Sequence, residues 1–229
     1  MPPRNLFLSI ALGAFAALAH PFTFLGNAFG RLRLSAGRSR TGTARWTPEL
    51  LKRLEWRRFE ELCAAYFEAL GFRAELAGSS AHGGADITLY QQDAERASIV
   101  VQCKPWNAYR VGLNAVRDLR ERMTSAKVAE GVLTTSGRFT QEARVLAAKE
   151  KISLIDGTDL LDKIAALSPE TAQRLLEIAT EGDFITPTCP ACAVKMVARK
   201  STAHGRTFWG CRNYPRCKQT FFSTVNASG

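Results

Sequence analysis

Neither end of this chain carries an acidic side chain. The first is Glu49 and the last is Asp183, so residues 1–48 hold six arginines unopposed and residues 187–229 hold seven unopposed basic groups. The 138 residues between them hold 18 basic and 21 acidic groups, which places the formal +10 at the two ends, as +6 and +7 around −3. A uniformly basic, histone-like protein is thereby excluded. Hydrophobic residues make up 46% of the 229, which excludes wholesale disorder. Cysteine is sparse, at six residues, too few and too unevenly spread for a disulfide-dense secreted scaffold, and no internal repeat is visible. What remains is a middle segment of ordinary domain size, able to bury its own core, with two basic attachments of different character.

The amino-terminal attachment contains Leu6 to Phe29, 24 residues without a formal charge. A membrane-spanning helix needs roughly 20 apolar residues, and the kink at His20-Pro21 is tolerable in one. Arginines 31, 33, 38, 40 and 45 follow the run while only Arg4 precedes it, so the positive-inside rule keeps the carboxyl-terminal side in the cytoplasm. Residues 1–30 are therefore read as an inner-membrane anchor and 31–48 as a flexible basic linker. Two other readings stand beside it. One is a cleaved signal ending at Ala17-Leu18-Ala19; the other is a helix folded against the protein, or an upstream start, which leaves the chain cytoplasmic.

Between 49 and 183 the periodicities alternate. Trp46–Leu70 carries an apolar stripe at 3.6 residues per turn, stopped by Gly71. DITLY and SIVVQCK read as two strands joined by a hairpin loop. Leu113–Val128 is helical, Gly131–Ser136 a buried strand, Phe139–Lys151 a helix and Ile152–Asp156 a short strand. Thr158–Glu181 holds two helices, the second opened by Ser168-Pro169. The order predicts an α/β sheet whose first pair is antiparallel and whose later strands arrive by helical crossovers.

Asp86 opens the first of these strands. Gln102 and Lys104 lie two apart on the next, so they share a face, and Cys103 lies on the other. An acid facing Q-x-K can hold a divalent cation and place an ammonium beside it, the two features that phosphodiester hydrolysis uses. Mg²⁺ prefers such oxygen-rich sites. A lysine at a sheet edge also serves to blunt that edge. Thr134, Thr135 and Ser136 end a strand where hydroxyls can meet a phosphate or merely cap a helix. Trp106 and Tyr109 can stack on a base or pack a core.

The stretches FEELCAAYFEALGF, GGADITL, VVQCK, GVLTTSGRFTQEA and ISLIDGTDLL, in that order from Phe59 to Leu161, resemble the Mrr-like restriction endonuclease family of the PD-(D/E)xK nuclease superfamily. The resemblance implies a restriction-endonuclease-like mixed sheet flanked by helices and a Mg²⁺-dependent deoxyribonuclease. It makes Asp86, Gln102 and Lys104 the catalytic set, with Asp86 and Gln102 holding the ion, and leaves a homodimer open. The family also places a glutamate on the first helix, where Glu60 and Glu61 are adjacent. At about 100° per residue from Phe59, Glu60 falls on the border of the buried face and Glu61 towards solvent, so Glu60 is chosen. One departure is His82, which stands in HGGAD where the family often has an acid. It keeps a second reading alive, that of a membrane-tethered DNA-binding protein that retains the fold without cutting.

At the carboxyl end, Cys189 and Cys192 are followed after 18 residues by Cys211 and after five more by Cys217. Four thiolates so spaced suit a tetrahedral Zn²⁺, and a segment this short draws most of its folding energy from the metal. The stretch GCRNYPRCK and its surroundings over Thr188–Phe222 resemble the zinc ribbons of type IA DNA topoisomerases, which implies nucleic-acid binding by a zinc ribbon over 187–223. Arg206, Trp209, Arg212, Tyr214, Arg216 and Lys218 are the candidate contacts, aromatics for bases and cations for phosphates.

Overall fold

The computed structural model describes residues 44–76, 86–91, 94–104, 110–201 and 205–222, the side chains of Asp86 and Phe222 excepted. The apolar segment 1–30 and most of the basic linker lie outside them. Among the described residues no helix is long and apolar enough to cross a membrane.

Two helices open the described chain, α1 (Pro48–Arg53) and α2 (Trp56–Ala69). The sequence predicts one helical period over this stretch, and the structure breaks it at Leu54–Glu55. Thr47 caps α1 by accepting from the Leu50 amide, with Pro48 in the first turn. Glu55 caps α2 by accepting from the Arg57 amide. The stripe spans the break because Leu51 and Leu54 are buried as well as Phe59, Leu62, Cys63, Tyr66 and Phe67.

Five strands form the main sheet: β1 (Arg73–Leu76), β2 (Asp86–Tyr90), β3 (Ile99–Lys104), β5 (Glu130–Thr135) and β7 (Ile152–Ile155). They lie in the order β1-β2-β3-β5-β7, with the first two pairings antiparallel and the last two parallel. This is the predicted topology, enlarged by β1. The two parallel steps cross over through α3 (Leu113–Ala126) and α4 (Gln141–Lys149), whose apolar sides pack on Val100 and Leu133. Helix α2 covers the opposite face, where the Cys63 thiol lies 3.9 Å from the Thr134 hydroxyl. Covered on both sides, β3 and β5 are almost continuously buried. A two-residue pair, β4 (Arg110–Val111) and β6 (Arg138–Phe139), flanks the sheet.

After β7, α5 (Gly157–Ala165) begins at Asp156. Its carboxylate accepts from the Thr158 and Asp159 amides, and Asp159 reaches back to the Asp156 amide, a reciprocal cap. A Cβ on Gly157 would stand 2.6 Å from the Ser136 carbonyl oxygen, so only glycine lets this helix start beside the end of β5. Helix α6 (Pro169–Thr180) follows, capped by Ser168 as expected from sequence.

The remaining residues form an antiparallel three-stranded ribbon, β8 (Val197–Lys200), β9 (Thr207–Gly210) and β10 (Thr220–Phe222), in the order β10-β9-β8. Its entry strand lies against the first turn of α2: the Trp56 indole donates to the Thr188 carbonyl at 2.6 Å, and the Glu55 carboxylate accepts from the Lys195 ammonium at 3.1 Å.

Candidate active site and metal centre

The antiparallel register of β2 and β3 makes Asp86 the direct partner of Gln102, which puts both positions on one face of the sheet. Lys104 follows two positions later on that face, at the end of β3. The next strand sets Leu133 and Thr135 opposite Gln102 and Lys104. Thr135 donates its hydroxyl to the Lys104 carbonyl at 2.7 Å and accepts from the Gly137 amide at 3.1 Å, so it pins the strand ends. Thr134, Thr135 and Ser136 are all buried, and the structure gives Thr134 and Thr135 internal partners rather than an open aspect towards a phosphate.

Gln102 is the unusual residue. It has 0% exposure, and neither its Oε1 nor its Nε2 has a hydrogen-bond partner. Burying an amide unpartnered costs roughly 1–3 kcal/mol. Other buried polar side chains here, Glu55, Thr135 and Asp156 among them, are satisfied. An orphaned carbonyl oxygen in register with an aspartate is the donor set that a hard divalent cation takes. The residue types at these paired positions of β2 and β3 suit such an ion.

Glu60 is also buried, at 4% exposure. It belongs to the α2 side of β3, near Cys103. Burial pushes the Cys103 thiol well up, with the Cys63 thiol and then the Glu60 charge adding to it. Gln102 and Lys104 belong to the α3 side, so Glu60 and the Gln102–Lys104 pair lie on opposite faces of β3 rather than on one. Glu61 is half-buried and engaged by Arg57 at 3.4 Å and Arg58 at 3.0 Å. His82, Trp106 and Tyr109 lie outside the described residues.

In the ribbon, the four sulfurs of Cys189, Cys192, Cys211 and Cys217 lie within 4.8 Å of one another. A tetrahedral zinc with Zn–S near 2.3 Å has S–S edges of about 3.8 Å, and Cys189 and Cys217 stand 3.7 Å apart. The backbone shapes this nest. Cys189 and Val194 close a tight turn through a 2.8 Å bond, with Ala193 held at φ 54°, and the Asn213 amide points at the Cys211 sulfur at 3.4 Å. A hydrogen bond from Asn213 holds the Cys192 thiol below its usual range, while burial pushes that of Cys189 up. The quartet fits zinc.

The candidate nucleic-acid contacts divide. Trp209 packs on the cysteines and Met196 and belongs to the ribbon's core. Tyr214 is 61% exposed, with the Arg199 guanidinium carbon 5.5 Å above its ring. Gly210 makes room for that arginine, since a Cβ there would stand 2.8 Å from its Cδ. Arg206, Arg212, Arg216 and Lys218 are exposed as well.

One contact and one residue escaped sequence reasoning. Arg199 counts among the ribbon's cations in sequence, whereas its place on Tyr214 depends on the ribbon's register. Glu55 sits inside an unbroken helical stripe, and glutamate is not a favoured N-cap, so no local signal marks it.

Comparison with known proteins agrees with both resemblances. Residues 51–164 match a restriction endonuclease family model, and residues 186–225 match that of the topoisomerase DNA binding C4 zinc finger. An uncharacterized protein, y4cE, of Sinorhizobium fredii (strain NBRC 101917 / NGR234) is 33% identical over 99 residues, covering 42% of this chain and 25% of that protein. DNA topoisomerase 1 of Pyrococcus horikoshii is 28% identical over 93 residues, covering 39% of this chain and 13% of that one. The chain thus spans a quarter or less of the length of these relatives. Among solved structures, the DNA modification-dependent restriction endonuclease AspBHI aligns with 21% identity and a TM-score of 0.42, over 78% of this chain and 49% of that one. MspJI restriction endonuclease in complex with a 27-mer oligonucleotide aligns with 18% identity and a TM-score of 0.30, over 58% and 34%. The chain carries a restriction-endonuclease-like domain and a zinc ribbon.

Proposed function

We propose that this protein is a Mg²⁺-dependent DNA endonuclease of the Mrr-like type, with a nuclease domain over 49–183 and a DNA-gripping zinc ribbon over 187–223. The observation that carries the proposal is Gln102, a buried amide without partners, in register with Asp86 and two residues from Lys104. When bound, the divalent cation supplies charge that polarises the scissile phosphate. Asp86 and the Gln102 Oε1 offer it oxygens. The Lys104 ammonium orients the attacking water and offsets charge developing on the phosphate. Glu60, on the α2 side of β3, assists as a further acid. Tyr214, Arg206, Arg212, Arg216 and Lys218 hold the DNA backbone and bases. Residues 1–30 anchor the chain in the inner membrane with the nuclease domain facing the cytoplasm, and two copies pair to cut both strands.

Plasmid nicking by the purified protein tests this, in Mg²⁺ and in EDTA. Wild type nicks only with the metal. Asp86→Ala and Lys104→Ala lose activity by on the order of 100-fold or more, the scale of removing one charge-stabilising group. Variants that nick as fast as wild type sink the assignment. Recovery of the full-length product wholly in the soluble fraction sinks the anchor.

A further inference from the structure

We propose that Glu55 is a positioning residue that fixes the zinc ribbon against the nuclease domain, so that the two meet DNA as one body with a set spacing. The spacing rests on the DNA-cleaving reading above; the docking does not.

Glu55 has 3% exposure and uses both carboxylate oxygens. Oε1 accepts from the Thr188 hydroxyl at 2.9 Å and the Lys195 ammonium at 3.1 Å, and Oε2 accepts from the Thr188 amide at 3.1 Å and the Arg57 amide at 3.2 Å. Thr188 and Lys195 are bridge partners at the base of the hairpin that carries Cys189 and Cys192. With the Trp56 indole on its carbonyl, Thr188 spends its amide, hydroxyl and carbonyl on the first turn of α2. The segment leading there is held too. Arg58 donates to the Ile178 and Glu181 carbonyls at 2.9 Å each, and the Glu55 amide donates to the Phe184 carbonyl at 2.8 Å. A flexible tether leaves its backbone to water; this one is bonded at each end and in between.

A buried carboxylate is tolerated only with partners, and three of the four donors to Glu55 come from the ribbon. The coupling runs both ways. Zinc shapes the hairpin that presents Thr188 and Lys195, and without that shape Glu55 keeps only the Arg57 amide at the start of the helix that carries Glu60. With the clasp closed, the Gln102–Lys104 edge and the Tyr214 platform keep one separation.

Hydrogen exchange on the full chain, in detergent where needed, tests the docking without reference to cleavage. Each charge-assisted bond lost changes local opening by about tenfold. Glu55→Ala should therefore speed exchange of the Thr188 amide by about that factor or more while zinc content is retained. Stripping zinc should speed exchange at 55–58 and leave α4 unchanged. Lys195→Met, which keeps the aliphatic stem and loses the charge, should act in the same direction if Glu55→Ala folds poorly. Unchanged exchange at 55–58 on zinc removal overturns the proposal. The second readout is cleavage against duplex length. A fixed two-point grip gives wild type a sharp minimum length, which Glu55→Ala blurs; an equally sharp threshold in both overturns the set spacing. If wild type cuts no duplex of any length, the nuclease reading fails while the exchange data still decide the docking.

Discussion

Replacing Gln102 with methionine should make the protein more stable and inactive at once. The side chain is wholly buried, and both its polar atoms lack partners, so the folded state carries a desolvation cost of roughly 1–3 kcal/mol that the unfolded chain does not. Methionine matches glutamine in length, has no donor to satisfy and fills the same space, and a volume-conserving swap of this kind adds little strain. The expected gain without divalent metal is about 1–2 kcal/mol, or roughly 2–8 °C in the melting temperature of a domain this size. Mg²⁺ narrows the gap, because it stabilises only the chain that binds it. At ten times its dissociation constant the wild type regains about 1.4 kcal/mol. Thermal melts of wild type and Gln102→Met in EDTA and across a Mg²⁺ titration measure both effects. A variant that melts below wild type in EDTA shows that the amide has a partner in solution. One that keeps the full Mg²⁺-dependent shift shows that its oxygen does not bind the ion. Either result refutes the reasoning.

Chelating the zinc should unfold the ribbon and weaken DNA binding, read by circular dichroism and by filter binding. The binding that remains in the intact protein should fall with salt, by about 0.7–0.9 log units per log unit of salt for each phosphate neutralised. Unchanged affinity after chelation would remove the ribbon from the DNA interface. Gly157→Ala should destabilise the fold by about 1–3 kcal/mol, because its Cβ would stand 2.6 Å from the Ser136 backbone oxygen; a denaturant midpoint unchanged from wild type would contradict that close approach.

The sheet was legible in sequence where a period and a turn coincide. The two-residue spacing of Gln102 and Lys104 put them on one face, and the antiparallel pair set Asp86 beside Gln102. Strand β1 was not legible, because Arg73–Leu76 is mostly exposed and has no buried alternation to display; it exists through its register with β2. The break between α1 and α2 was hidden for the opposite reason, since apolar residues continue across it and the partners that enforce it, Phe184 and Thr188, lie beyond residue 180. Glu60 was separable from Glu61 by helical phase, whereas its place on the Cys103 side of β3 needed the three-dimensional fold. The aromatics of the ribbon could not be sorted from composition: Trp209 and Tyr214 sit in the same basic surroundings, and only packing tells that one is core and the other open.

The clasp at the start of α2 also orders the protein's birth. Its bonds join residues 120 to 140 positions apart, so during synthesis the first turn of α2 leaves the ribbon-side donors of Glu55 unmet until the ribbon has emerged. Closing so long a loop is entropically costly and comes late. A ribosome that stalls, or a message cut short, before residue 188 therefore leaves Glu55 without any of those donors. The ribbon thus completes the surroundings of the first helix pair, and Glu55 gains its full set of partners only after residue 195 has been made.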